Sequence, residues 1–169
     1  MTIKLLLISL LLAVSAERPA AAGHRYVNQT YGFAVTVPDD LSVATSPPPA
    51  PQHGIAATLD PSGRVWIDGA YDSRFLGSAV AALRDLASGE SPPPAAPIRM
   101  TRLAGLEAAG LRFRHDDTVS ARLVVYRPNA RGVAIIYRFG LDTDRGHAAR
   151  DERIFDRIVR SFAILPLPR

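Results

Sequence analysis

The sequence predicts an α+β fold, a mostly antiparallel β-sheet packed between α-helices. Three features carry that reading. The first is a pair of β-branched and aromatic runs, residues 123–126 and 133–139, joined by Arg-Pro-Asn-Ala-Arg-Gly. Such side chains suit a pleated, half-buried surface. In the second run Val133, Ile135, Tyr137 and Phe139 share one face at the strand period. The connection is a turn by composition and is too short for a parallel crossover, so the pair is antiparallel.

The second feature is a change of period after Leu141. Ile154, Phe155, Ile158, Val159 and Phe162 form one helical stripe, with Arg150, Asp151, Arg153, Asp156, Arg157 and Arg160 on the other side. Burying each large apolar residue contributes about 1.5–3 kcal/mol. A surface ion pair contributes about 0–1 kcal/mol. The stripe therefore decides where the helix lies. Asp142, Thr143 and Asp144 precede it and are placed to accept from its first N–H groups. The third feature is a mid-chain helical stripe of Phe75, Leu76, Ala79, Val80, Leu83, Leu86 and Ala87, with Asp72 or Ser73 as N-cap and Gly89 in the C′ place.

Taken in order, the chain opens on a leader. Residues 1–22 have one Lys, an apolar run over 5–14 and small residues after it, the pattern of a secretory signal peptide cleaved after Ala16 or Ala22. The run is short against the ~20 residues of a spanning helix. A single domain is expected over 25–165, with 166–169 a short tail. Residues 17–24 read as a loose arm and Tyr26-Val27 as the start of an edge strand. Phe33, Val35 and Val37 alternate with Ala34 and Thr36, and Pro38 ends that strand. Residues 41–45 form a weaker strand before a proline-rich loop over 46–52.

Residues 55–59 and 65–70 make a hairpin, with Trp66, the only tryptophan, in its second strand and read as core. After the mid-chain helix a second proline loop, 90–97, leads to strands over 98–103 and 106–114. Leu111 and Phe113 point one way and Arg112 and Arg114 the other. Residues 115–118 turn into the final block.

Composition limits the function. The chain has 169 residues and no cysteine, which removes a disulfide framework, thiolate metal sites, a Cys nucleophile and a lipidated N-terminal Cys. A formal charge of +4 is mild. With export, it leads us to expect no nucleic-acid partner, a periplasmic or secreted location, and no integral membrane protein after processing.

The order of pieces carries a resemblance. Tyr26, Asn28, Tyr31, Gly32, Phe33, Val35 and Pro38 form an entry motif, and a last helix runs into Ser161-Phe162 and a final strand. This resembles the Mog1/PsbP-like superfamily, including its bacterial exported members of the DUF1795 and DcrB type, over about 26–165. The resemblance implies an antiparallel sheet between helices and a non-enzymatic binding or assembly role, as with the photosystem subunit or the Ran-binding member. It does not carry a partner over.

No catalytic, cofactor or metal motif is complete. His24, His53, His115 and His147 lack metal-ligand spacing. His115 beside Asp116 and Asp117 would be the base of an envelope hydrolase or a metal-dependent enzyme; a polar hairpin turn is the plainer reading. The segment from Asp142 fails as a calcium loop, because its twelfth place is Arg153. Ser78 has no strand elbow before it. Arg112, Arg114, Arg122, Arg127, Arg131 and Arg138 cluster in two adjacent hairpins. On one side of a sheet they would make a patch for an anionic polymer or lipid headgroup. The expected function is an exported, non-catalytic binding or assembly domain of the bacterial envelope, with a protein or envelope component as partner. The alternatives are the His115 enzyme and a small hydrophobic-ligand carrier with a cavity near Trp66. No cofactor is expected.

Overall fold

The computed structural model describes residues 23–44, 52–91, 93–129 and 132–168. The expected leader, Thr45, most of the first proline loop, Pro92 and the Ala130-Arg131 tip of the last hairpin turn lie outside the described residues.

Among the described residues ten strands and two helices follow in the order β1 (Gly23–Asn28), β2 (Phe33–Pro38), β3 (Ser42–Ala44), β4 (Gly54–Leu59), β5 (Gly63–Tyr71), α1 (Ala79–Ser88), β6 (Arg99–Leu103), β7 (Leu106–His115), β8 (Thr118–Arg127), β9 (Ile135–Asp144), α2 (Ala148–Arg160) and β10 (Ala163–Ile164). They build a seven-stranded sheet, β3-β4-β5-β9-β8-β7-β6, and a three-stranded one, β1-β2-β10. Every pairing is antiparallel. β9 lies between β5 and β8, so the chain leaves the sheet after β5, adds the β6–β8 meander, and returns to close against β5.

Alternation along β9 assigns the two faces. Ile135, Tyr137, Phe139 and Leu141, all at 0% exposure, point toward α2 and share a core with Phe33, Val35 and Val37 of β2, Ile55, Val65, Ile67, Phe155, Ile158 and Phe162. Aromatic rings lock it: Tyr137–Phe162 at 5.1 Å, Phe139–Phe162 at 5.3 Å and Phe33–Tyr137 at 5.5 Å. Edge-on pairs of this kind add about 0.5–1.5 kcal/mol each to the burial itself. On the other face α1 lies across β7 and β8, with Leu83, Ala109, Leu111, Val124 and Ile136 buried between them. The sheet thus has a helix on each face, as expected. The α2 side is shared with the three-stranded sheet.

Several boundaries differ. β1 starts at Gly23, ahead of Tyr26, because β2 offers a full partner down to Pro38. β9 starts at Ile135, leaving Val133 outside it and 39% exposed. It runs on to Asp144, since Thr143 and Asp144 keep pairing with Val119 and Thr118. Asp142, Thr143 and Asp144 are therefore strand residues. The N-cap of α2 is His147, with no side-chain cap bond. Asp151, assigned by period to the outer side, is fully buried: Thr143 Oγ1 donates to it at 2.5 Å and Arg150 Nε at 2.7 Å.

The first helix begins at Ala79, with Ser78 as N-cap accepting from Ala81 N at 3.1 Å. Asp72 is buried and accepts instead from Leu76 N and Gly77 N at 3.0 and 3.2 Å, fixing a loop. That loop sets Phe75 at φ 54° and leaves it 80% exposed, so Phe75 is not part of the apolar face. Gly89 is the C-cap in right-handed geometry, not a left-handed C′ residue.

Candidate binding cleft

Seven strands at about 4.8 Å spacing span about 29 Å. A helix is about 10–12 Å across with its side chains. α2 alone therefore cannot cover the whole face, and it shares it with the three-stranded sheet. The core on this side reaches across β4, β5, β9 and much of β8, where Val119, Ala121 and Val125 are buried. What stays open lies beside Leu123 of β8 and over β7 and β6 at Gly110 and Arg99. A cleft of about 750 Å³ occupies that place, between the edge strand and the outer flank of α2. Such a volume is in the range of small-molecule sites, about 300–1,000 Å³.

Register gives the cleft its chemistry. Arg99, Gly110 and Leu123 form one cross-strand row facing α2, and Thr101 and then Leu103 stand further along β6 on the same face. Phe155 and Val159 of α2 make the opposite wall. Two small residues, Gly110 and Ala121, keep the floor low; a Cβ on Gly110 would meet only Arg122 O and Leu123 Cδ1, each at 3.3 Å. The single lining carboxylate, Asp156, is held by Arg112, whose Nη2 donates to its Oδ1 at 3.0 Å. Arg112 also lies 3.7 Å from Glu152.

Of the six arginines expected to form one patch, Arg131 lies outside the described residues and the structure separates the other five. Arg112 and Arg114 stand on the α2 face of β7, and both are exposed. Arg127 shares that face but is tied inward, donating to Tyr137 Oη and Leu165 O, each at 3.1 Å. Arg122 and Arg138 are on the opposite face. Arg138 makes a two-point pair with Asp68, at 2.8 and 2.6 Å. Arg122 is 6% exposed. It is sandwiched between the rings of Trp66 and Phe113 at 5.8 and 5.6 Å and donates to Glu90 and Asp142, each at 2.8 Å. Arg99 and Arg102, which no motif singles out, also line the cleft. Their only sequence signal is the spacing of two arginines in Arg-Met-Thr-Arg-Leu beside a proline loop.

Other expected sites fall elsewhere. His115 Nε2 lies 3.4 Å from Asp116 Oδ2 on an exposed turn, away from the cleft. Among the described residues no three His, Asp or Glu side chains converge as a metal site. Trp66 is not beside a cavity of ligand size: the void it helps to line, with Ile55, Ile67 and Ile158, is about 10 Å³, at the limit for one water. Its indole lies on Gly140, where a Cβ would come within 2.1 Å of the ring. At the start of α2 the Asp144 carboxylate accepts from Ser62 and from His147 Nδ1. The Ser62 hydroxyl, then His147, hold Asp144 down to about 2 from 3.8. Burial raises the Tyr137 phenol, and Arg127 opposes that rise.

No family model and no curated protein matches this chain. Solved structures do. LpqN of Mycobacterium tuberculosis, involved in cell envelope biogenesis, superposes with a TM-score of 0.57 at 18% identity, over 89% of this chain and 88% of that one. Cyanobacterial PsbP from Synechocystis sp. PCC 6803 gives 0.55 at 15% identity, over 91% and 98%. The Ran-binding protein Mog1p of Saccharomyces cerevisiae gives 0.52 at 8% identity, over 85% and 96%. At such identities the likeness is one of fold, and this chain has the Mog1/PsbP-like fold.

Proposed function

We propose that this Mog1/PsbP-like chain is an exported, non-catalytic binding or assembly domain of the bacterial cell envelope, and that it holds its partner in the cleft beside α2. The observation that carries the reading is the make-up of that cleft. It is open and lined by Leu103, Leu123, Phe155 and Val159, and its one carboxylate is neutralised by Arg112. Those are groups for binding; no base-and-nucleophile pair is among them. The leader-like residues 1–22 support export, and the fold is shared with an envelope-biogenesis protein. No described helix is long and apolar enough to cross a membrane.

Titrating ¹⁵N-labelled protein with a fractionated bacterial envelope extract tests the proposal. Amide shifts confined to β6, β7 and the second half of α2 are expected. Shifts confined to the His115 turn, together with ester or phosphate hydrolysis lost in His115→Ala, would replace it with the enzyme reading.

A further inference from the structure

The cleft is chemically sorted between its edge-strand rim and its floor. On the edge-strand rim stands Arg99, exposed, with Arg112 in the next row and Thr101 beside it along β6. Leu123 stands across Gly110 in the same row as Arg99, Leu103 lies further along β6, and with Val159 of α2 they make the apolar wall. Arg112 is already engaged by Asp156 and Glu152, but Arg99 makes no ion pair with any described residue. Among the described residues Arg102 bonds only to the carbonyl of Gly105, at 2.8 Å. An unpaired guanidinium beside a hydroxyl, opening onto an apolar trough, matches a molecule with an anionic head and a single oily chain.

The geometry points to a long-chain fatty acid as the occupant. Its carboxylate takes the Arg99 fork and accepts from the Thr101 hydroxyl, and its chain lies over Gly110 toward Leu103, against Phe155 and Val159. A protein helix is the poorer fit, because stable protein interfaces bury at least about 1,000 Å² and the trough is the size of a small-ligand site. This assignment rests on the cleft being the binding site proposed above, and names what it binds.

Displacement of the fluorescent fatty acid cis-parinarate by palmitate, on the full chain, tests it. Saturable one-to-one binding is expected. Thr101→Trp, a change at an exposed position that fills the trough, weakens it at least about tenfold. Arg99→Glu weakens palmitate by about tenfold, as loss of a charged hydrogen bond would, and leaves hexadecanol, which has no charge, unchanged. The assignment is overturned if parinarate does not saturate, if Thr101→Trp binds as the parent does, or if Arg99→Glu affects the alcohol and the acid equally. Should palmitate fail while extract still shifts β6 and β7, the ligand class is wrong and the binding role stands. If both fail, the cleft itself is refuted.

Discussion

Substituting Gly140 by alanine is expected to destabilise the fold far more than the added methyl suggests. Gly140 is at ordinary strand geometry, directly across from Trp66 in the β5–β9 ladder. An added Cβ would sit 2.1 Å from Trp66 Cε2 and 2.3 Å from Cζ2 and Nε1. The ring cannot lift freely, because Arg122 lies over it and is itself held by Glu90 and Asp142. Overpacking alone costs about 1–3 kcal/mol. Dislodging a buried, paired Arg raises this toward about 3–5 kcal/mol. Urea unfolding followed by far-UV circular dichroism reads the loss. The same substitution in a Trp66→Ala background should cost under about 0.5 kcal/mol, because the clashing ring is gone. Equal costs in both backgrounds would refute the indole-on-glycine account.

Phe75→Gly should stabilise the protein: a left-handed residue costs about 1–2 kcal/mol and glycine returns about 0.5–1 kcal/mol as chain entropy. A lowered urea midpoint would contradict this. Asp144 has a depressed folded pKa, about 2 against 3.8, so its contribution is present above pH 4 and is lost as pH falls through 2. Carboxyl NMR titration should find Asp144 moved upward in Ser62→Ala; an unmoved titration sinks the Ser62 explanation. Arg122→Met should cost toward the lower end of about 3–5 kcal/mol, because Glu90 and Asp142 are partly exposed and regain water. Neutral thermal melts would show the network to be dispensable.

The sequence made the strands and the α2 stripe legible because their information is local. Ile135, Tyr137 and Phe139 alternate, and Phe155 and Ile158 recur at the helical period, and each is buried. Asp142 and Thr143 do not cap α2 because the long-range partner, β8, extends the ladder over them, while Asp144, the last strand residue, still accepts from His147 N at 3.0 Å. Phe75 fits the helical spacing, yet Asp72 draws the preceding backbone into a loop. The arginine patch dissolved because strand parity sends Arg122 and Arg112 to opposite faces, and only register fixes that. The Trp66–Gly140–Arg122 stack joins residues from three strands, one of them distant in sequence. The cleft was least legible, being set by how much of the sheet α2 leaves uncovered.

Photocrosslinking from a benzophenone amino acid tests most directly whether the uncovered face is where this protein engages its partner. One copy carries it at Thr101, inside the cleft, and another at Ser88, exposed at the end of α1 on the opposite face. Exposed to whole envelope extract, the Thr101 protein should form a discrete adduct that excess unlabelled parent protein competes away, and the Ser88 protein should not. Adducts of equal yield from both positions, or from Ser88 alone, would contradict it.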